Sequence, residues 1–243
     1  MPGTTITEQP RLVVMLVVDQ LSTPLLLRYD DLFTGGFRRL LDEGRFYVDA
    51  SYDHAGTSTA PGHATLATGT HPSRHGIVGN SWYERTSAGW LEVENIGDST
   101  VSVIGYPQLH GASPHYLERP TLADWMRAAD HETRVASVSG KDRGAILPAG
   151  HGREGHAYWF EASVGRFVTS TYYRDDVPEW VEKFHETALA SYGRDSVWES
   201  RIPAAAVRRS SPDTASHEAD GVHTYFPHRY AVEGTPGEFW DWF

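Results

Sequence analysis

The chain contains no cysteine, which removes disulfides, zinc-thiolate sites, iron–sulfur clusters and a cysteine nucleophile in one step. Any metal it binds must be held by His, Asp, Glu or hydroxyl oxygen. Positive charge is scarce: 21 Lys+Arg stand against 32 Asp+Glu, a net charge of −11. That balance argues against a broad nucleic-acid or anionic-membrane surface, so a bound phosphate has to be held locally. Long apolar runs are missing too. Residues 12–18 are far too few to span a bilayer. Residues 1–11 carry neither a basic n-region nor a small-residue cleavage site, so no leader is expected and no compartment is assigned.

What is present is the composition of an ordered globular protein, 40% hydrophobic, 12% aromatic and 22% charged over 243 residues. Residues 11–18 form an unbroken β-branched run, the pattern of a central strand covered on both faces, and the run ends at Asp19. A helix is predicted over residues 37–44, stopping at a glycine, and a second strand over residues 45–52. This β-α-β order predicts a layered α/β fold with a central, mostly parallel sheet flanked by helices. Further along, Thr59 is read as the cap of a helix with Pro61 in its first turn, and residues 121–129 as a second capped helix. A strand is predicted over 134–139, a turn over 141–143, and a hairpin over 158–160 and 167–172. An amphipathic helix over 178–190 is expected to carry Trp180, Val181 and Phe184 on one face. Residues 202–234 read as a surface excursion. Thr235 to Glu238 has the form of a capping box with proline at the first helical position, so residues 235–243 read as the start of a truncated helix.

Five residues carry chemistry at element ends: Asp19, Thr59, Asn80, Lys141 and Arg143. A carboxylate at a strand end can ligate zinc, and a hydroxyl at a helix N-terminus sits where backbone N–H groups favour anions. An amide and two cations can satisfy the oxygens of a transferring phosphoryl group. Taken singly, each also has an ordinary structural reading, as helix cap, strand end, turn residue or solvated charge.

The sequence resembles the alkaline phosphatase superfamily, in its phosphate-irrepressible bacterial branch, related to the type I phosphodiesterases and nucleotide pyrophosphatases. The matching stretches are Val17-Val-Asp-Gln20, Gly36-Phe-Arg-Arg-Leu-Leu-Asp-Glu-Gly44 and Ser58-Thr-Ala-Pro-Gly-His-Ala-Thr-Leu-Ala-Thr-Gly-Thr70. They continue with Pro72-Ser-Arg-His-Gly-Ile-Val-Gly-Asn-Ser-Trp-Tyr83 and Gly140-Lys-Asp-Arg-Gly-Ala-Ile-Leu147. The resemblance implies an alkaline-phosphatase-like fold of which residues 1–243 form the N-terminal part of one domain, incomplete at the C-terminus. It implies a metal-dependent phosphomonoester hydrolase working through a phosphothreonine intermediate on small-molecule phosphate esters. Thr59 would be the nucleophile and, with Asp19, a ligand of a two-zinc centre. Asn80, Lys141 and Arg143 would contact phosphate oxygens. Family members are often periplasmic or secreted.

The family's remaining zinc ligands, an Asp-x-x-x-His segment, an Asp-His pair and a late His, have no counterpart at matching positions. Asp53-His54, Asp130-His131 and Asp213 with His217 mimic these pairs but fall elsewhere, and His63 and His75 are expected to be buried and hydrogen-bonded. Two oxygen ligands do not hold two zinc ions at useful affinity. Two alternatives therefore stand beside the phosphatase: a catalytically silent N-terminal fragment that pairs with a complementing C-terminal half, and a phosphodiesterase or nucleotide pyrophosphatase.

Overall fold

An apolar run becomes a strand only where neighbouring strands take up its backbone groups, and in this protein that condition separates two regions. The computed structural model describes residues 10–189, 197–214 and 224–229 and resolves into two compact units, Met1–Asp49 and Ala50–Phe243.

In the first unit, helix α1 (Thr23–Arg28) is capped by Ser22, whose hydroxyl accepts from the Leu25 N–H at 3.4 Å. Helix α2 (Gly35–Glu43) ends at Gly44 as expected, stabilised along its exposed face by Arg38–Asp42 and Arg39–Glu43 pairs at i,i+4. The two strands expected here do not form. Residues 12–18 and 45–52 join no strand ladder among the described residues, and Leu12 and Val14 are 77% and 75% exposed. β-propensity gives these runs no ladder without a partner edge.

The second unit holds the core. Helix α3 (Thr59–Thr68) is followed by the single turn α4 (Pro72–His75), then by a hairpin of β1 (Ser81–Thr86) and β2 (Gly89–Glu94) that the sequence reading did not anticipate. The motif-rich stretch up to Tyr83 hid that hairpin, because its outer face is exposed and polar. Helix α5 (Leu122–Ala129) starts at the expected cap. The Thr121 hydroxyl accepts from the Asp124 N–H, and the Asp124 carboxylate accepts from the Thr121 N–H. Strand β3 (Ala136–Ser139) leads through helix α6 (Asp142–Ala149) to β4 (His156–Glu161), parallel to β3, and β5 (Arg166–Val168) returns antiparallel to β4. The expected hairpin is therefore β4–β5, and the β3-α6-β4 crossover supplies the parallel pair of an α/β fold. Residues 141–143, expected as a turn, are instead the cap and first turn of α6.

Helix α7 (Glu179–Phe184) runs into a π-helical turn at His185–Leu189. Its expected apolar face is split: Val181 is buried while Trp180 and Phe184 are 57% and 39% exposed. Strands β6 (Val197–Trp198) and β7 (His228–Arg229) pair antiparallel. Much of the 202–234 excursion, and all of the 235–243 helix start, lie outside the described residues. The core is one cluster in which Ala60 and Ala64 of α3, Ala145, Ile146 and Leu147 of α6, and Trp159 of β4 meet.

A half-buried ionic contact joins α5 to the turn just after α6. The His151 imidazole places Nδ1 2.9 Å from the Asp124 carboxylate and Nε2 2.7 Å from the Leu117 carbonyl. Both partners are acceptors, so both ring nitrogens carry hydrogens and the ring is an imidazolium. The Asp124 bond raises the His151 pKa. Burial pushes the Asp124 carboxyl up, but hydrogen bonds from His151 and Thr121 outweigh it and bring the group down to about 2.

For His151, raised in the folded state, the stabilisation is complete below the ordinary histidine pKa of about 6.5 and is lost as pH rises through its folded value. For Asp124, lowered in the folded state, it is complete above about 4 and is lost as pH falls towards 2. Urea midpoints of the wild type should therefore fall as pH rises above about 6.5, and His151→Gln should remove most of that fall. An equal slope in both proteins would contradict the assignment. Gly150 (φ +72°) offers a second check, because a Cβ there would strike the Thr121 hydroxyl and the Asp124 carboxylate. Gly150→Ala should lower stability by about 1–3 kcal/mol in the same urea experiment.

Candidate phosphoryl-transfer site

Thr59 occupies the first helical position of α3, and Ser58 stands at the cap position without a side-chain capping bond. The cap predicted at Thr59 is thus displaced by one residue. The capping bond comes from a distance: the Asn80 Oδ1 accepts the Ala60 N–H at 2.9 Å. Anchoring the amide oxygen in this way leaves the two Nδ2 hydrogens of Asn80 as the donors at the helix N-terminus. The Asn80 backbone is held in turn by buried Asn95, which donates to the Asn80 carbonyl from its backbone N–H at 3.3 Å and from its side-chain amide. The β1–β2 hairpin separates these two asparagines, so it closes back on the residue that caps α3.

Lys141 and Arg143 arrive on the second helix start. Parallel strand β3 ends at Ser139, whose hydroxyl accepts the Lys141 N–H at 3.1 Å, and Lys141 is the exposed cap residue of α6. Arg143 is in the first turn of that helix, with Nη1 3.7 Å from Asp142 and with its Nε buried and lacking a hydrogen-bond partner. Buried donors seldom stay unpaired, so this N–H marks a place suited to an acceptor. In α/β sheets the carboxyl ends of parallel strands form the ligand-binding rim, which is where β3 delivers both cations.

Helix α6 packs on α3 through a contact of small residues. A Cβ on Gly144 would collide with the Ser139 hydroxyl and lie 3.6 Å from His63 Nε2. His63 in turn bonds the Thr59 carbonyl through Nδ1 at 2.8 Å. The residue after Arg143 thus abuts a side chain tied to Thr59. Asp19 lies in the other unit, on an exposed turn after the 12–18 segment.

The two motif histidines are structural, as expected. His63 is buried, and His75 is fully buried, accepting from the Ile77 N–H at Nδ1 and bonding the Thr65 hydroxyl at Nε2. Burial lowers the His75 pKa to about 4, so the ring is neutral. Asp130 and His131 are exposed, and His217 is outside the described residues. Asp53 and His54 are joined by His71, which the sequence reading passed over. Ligand atoms of the three lie within 4.8 Å of one another. The signal for His71 was its place just past the glycine that ends α3, a position unreadable as a ligand without the fold. A cavity of about 740 Å³ lined by Arg127, Arg134, Arg153 and His156 contains none of the five candidate residues.

Alkaline phosphatase PafA of Elizabethkingia meningoseptica is 37% identical over 214 residues, covering 86% of this chain and 39% of that protein. Alkaline phosphatase PhoV of Synechococcus elongatus is 35% identical over 228 residues, covering 91% of this chain and 41% of that protein. The crystal structure of wild-type PafA superposes with a TM-score of 0.74 at 36% identity over 82% of this chain and 38% of that one. A PafA variant with substitutions at a threonine, an asparagine, a lysine and an arginine superposes with a TM-score of 0.73. The chain spans about two fifths of the length of these relatives. Among the described residues no helix is long and apolar enough to cross a membrane. The family model described as type I phosphodiesterase / nucleotide pyrophosphatase matches residues 13–228, and the chain belongs to that family.

Proposed function

We propose that this chain carries the nucleophile and the phosphate-binding residues of a metal-dependent phosphomonoester hydrolase that works through a phosphothreonine intermediate. The observation that carries this reading is the Asn80 Oδ1 bond to the Ala60 N–H, which fixes an amide donor beside Thr59 at the start of a helix. The residue types altered in the PafA variant, a threonine, an asparagine, a lysine and an arginine, recur here in that order as Thr59, Asn80, Lys141 and Arg143.

In the first step the Thr59 oxygen attacks phosphorus, the bond to the leaving oxygen breaks, and the threonine proton ends on that oxygen by way of water, so the alcohol departs neutral. Water then attacks phosphothreonine, returning the Thr59 hydroxyl and releasing phosphate. Asn80 Nδ2 donates to a nonbridging oxygen through both steps. Lys141 and Arg143 neutralise the charge that distinguishes a monoester dianion from a diester monoanion, which favours monoesters. Zinc, when bound, lowers the pKa of the attacking oxygen and stabilises the leaving one. Asp19 is proposed as one of its ligands. Asp19 and Thr59 are two oxygen donors where zinc takes three or four protein ligands, so they do not form a two-zinc centre by themselves and no step is routed through it.

That shortage of donors favours a second reading of this chain by itself, a catalytically silent fragment that needs a complementing segment to supply the remaining ligands. Incubation with p-nitrophenyl phosphate and zinc, acid quenching and peptide mass spectrometry separate the two. The hydrolase reading expects phosphate on Thr59 and its loss in Thr59→Ala, whereas unmodified Thr59 with no turnover leaves the silent fragment. Lys141→Ala should lower p-nitrophenyl phosphate turnover by roughly 100-fold while changing the bis-ester much less, and equal losses would remove the monoester assignment. Asn80→Asp keeps an acceptor for the Ala60 N–H but exchanges the donors for charge. It should therefore melt near the wild-type temperature with turnover reduced by about 100-fold or more, whereas Asn80→Ala should also lose about 1 kcal/mol of stability.

A further inference from the structure

Beyond the candidate phosphoryl site, the described residues bring three metal-ligating side chains together at the other end of α3. Asp53 and His54 lie in the segment leading into the helix, and His71 lies just past Gly69, which ends it in a left-handed conformation. The Asp53 Oδ1 is 3.1 Å from His71 Nδ1, and the His54 and His71 rings meet edge to face with centroids 6.0 Å apart. Both nitrogens of His54 are buried and neither has a hydrogen-bond partner. An imidazole with both nitrogens shielded from water and unpaired carries a desolvation cost that a ligand at one of them would remove.

We propose that Asp53, His54 and His71 form a binding site for a divalent transition ion of the zinc type. One carboxylate oxygen and two imidazole nitrogens suit zinc, cobalt or nickel, whereas calcium and magnesium prefer all-oxygen shells. Tetrahedral zinc with bonds of about 2.0–2.2 Å places its ligand atoms roughly 3.3 Å apart. Asp53 and His71 already meet that separation, so only His54 must turn inward, with water completing the shell. Helix α3 has 10 residues and spans about 15 Å, so this ion sits at the far end from Thr59. There the C-terminal carbonyls of the helix favour a cation. The ion would tie the segment leading into Thr59 to the turn leaving the same helix, a clamp across α3 that takes no part in the chemistry at its N-terminus.

The test uses the full chain, with zinc, cobalt and magnesium chlorides as probes. Thermal melts and equilibrium dialysis are compared for wild type, Thr59→Ala, Asp53→Asn, His54→Gln and His71→Asn. Zinc should raise the melting temperature of wild type and of Thr59→Ala alike, with retained zinc in both. Cobalt should give a visible absorption band of tetrahedral type. Each of the other three variants should lose the zinc-dependent rise and the band. Asp53→Asn alters a side chain that is 77% exposed, so it keeps the test valid if His54→Gln folds poorly. An unchanged zinc response in Asp53→Asn and His71→Asn, an equal rise with magnesium, or no zinc response in wild type would each overturn the proposal. Loss of the response in Thr59→Ala would instead assign the ion to the phosphoryl site. Failure to phosphorylate Thr59 leaves these readouts untouched.

Discussion

The second unit depends on how closely α6 approaches α3 and β3. Gly144 sits where any side chain would collide with the Ser139 hydroxyl, so the helix can lie against the strand it has just left. That proximity lets the first turn of α6 bring its cations to the end of β3, while α3 meets the same helix through Ala60, Ala64 and His63. The crossover is short, and its helix packs back on the two parallel strands that it connects. A residue one methyl larger at Gly144 would push Lys141 and Arg143 away from α3 without touching either.

Electrostatics in this protein is local. The net charge of −11 repels anions at long range, and any phosphate specificity must come from a few donors with little competition nearby. Arg143 meets Asp142 at only 3.7 Å and keeps its Nε unpaired, so its charge is not consumed by a close ion pair. Asp124, by contrast, is saturated by the imidazolium of His151 and by the Thr121 N–H, and that pair is spent on joining α5 to the turn after α6. Two carboxylate–cation arrangements of similar composition thus differ in what remains unsatisfied.

Elements whose signals are local were legible in the sequence. The helix stop at Gly44, the Thr121 cap with Asp124 three residues on, and the β4–β5 hairpin follow from neighbouring residues. The strands at 11–18 and 45–52 were misread because strand formation is a property of pairs, and the β-branched run carries no record of whether a partner is at hand. The start of α6 was read as a turn because Gly140 and Asp142 are turn formers, yet the same residues serve a strand-to-helix entry. The β1–β2 hairpin escaped notice because its exposed face blurs the alternation that marks a strand. At the candidate site the residue types were legible, while the bond from Asn80 to Ala60 and the meeting of His71 with His54 join residues about 20 positions apart and have no local signature.

That long-range cap bears on how the region acquires its shape. Ser58 does not secure the opening turn of α3 with its side chain; a bond to that turn comes from a loop that is itself clasped by Asn95 across the β1–β2 hairpin. A peptide cut to the helix alone would fray at its start, because what steadies it is elsewhere in the chain. The turn bearing Thr59 is therefore steadied only where the hairpin is closed, and its order is a product of cooperative structure that no segment of the sequence possesses in isolation.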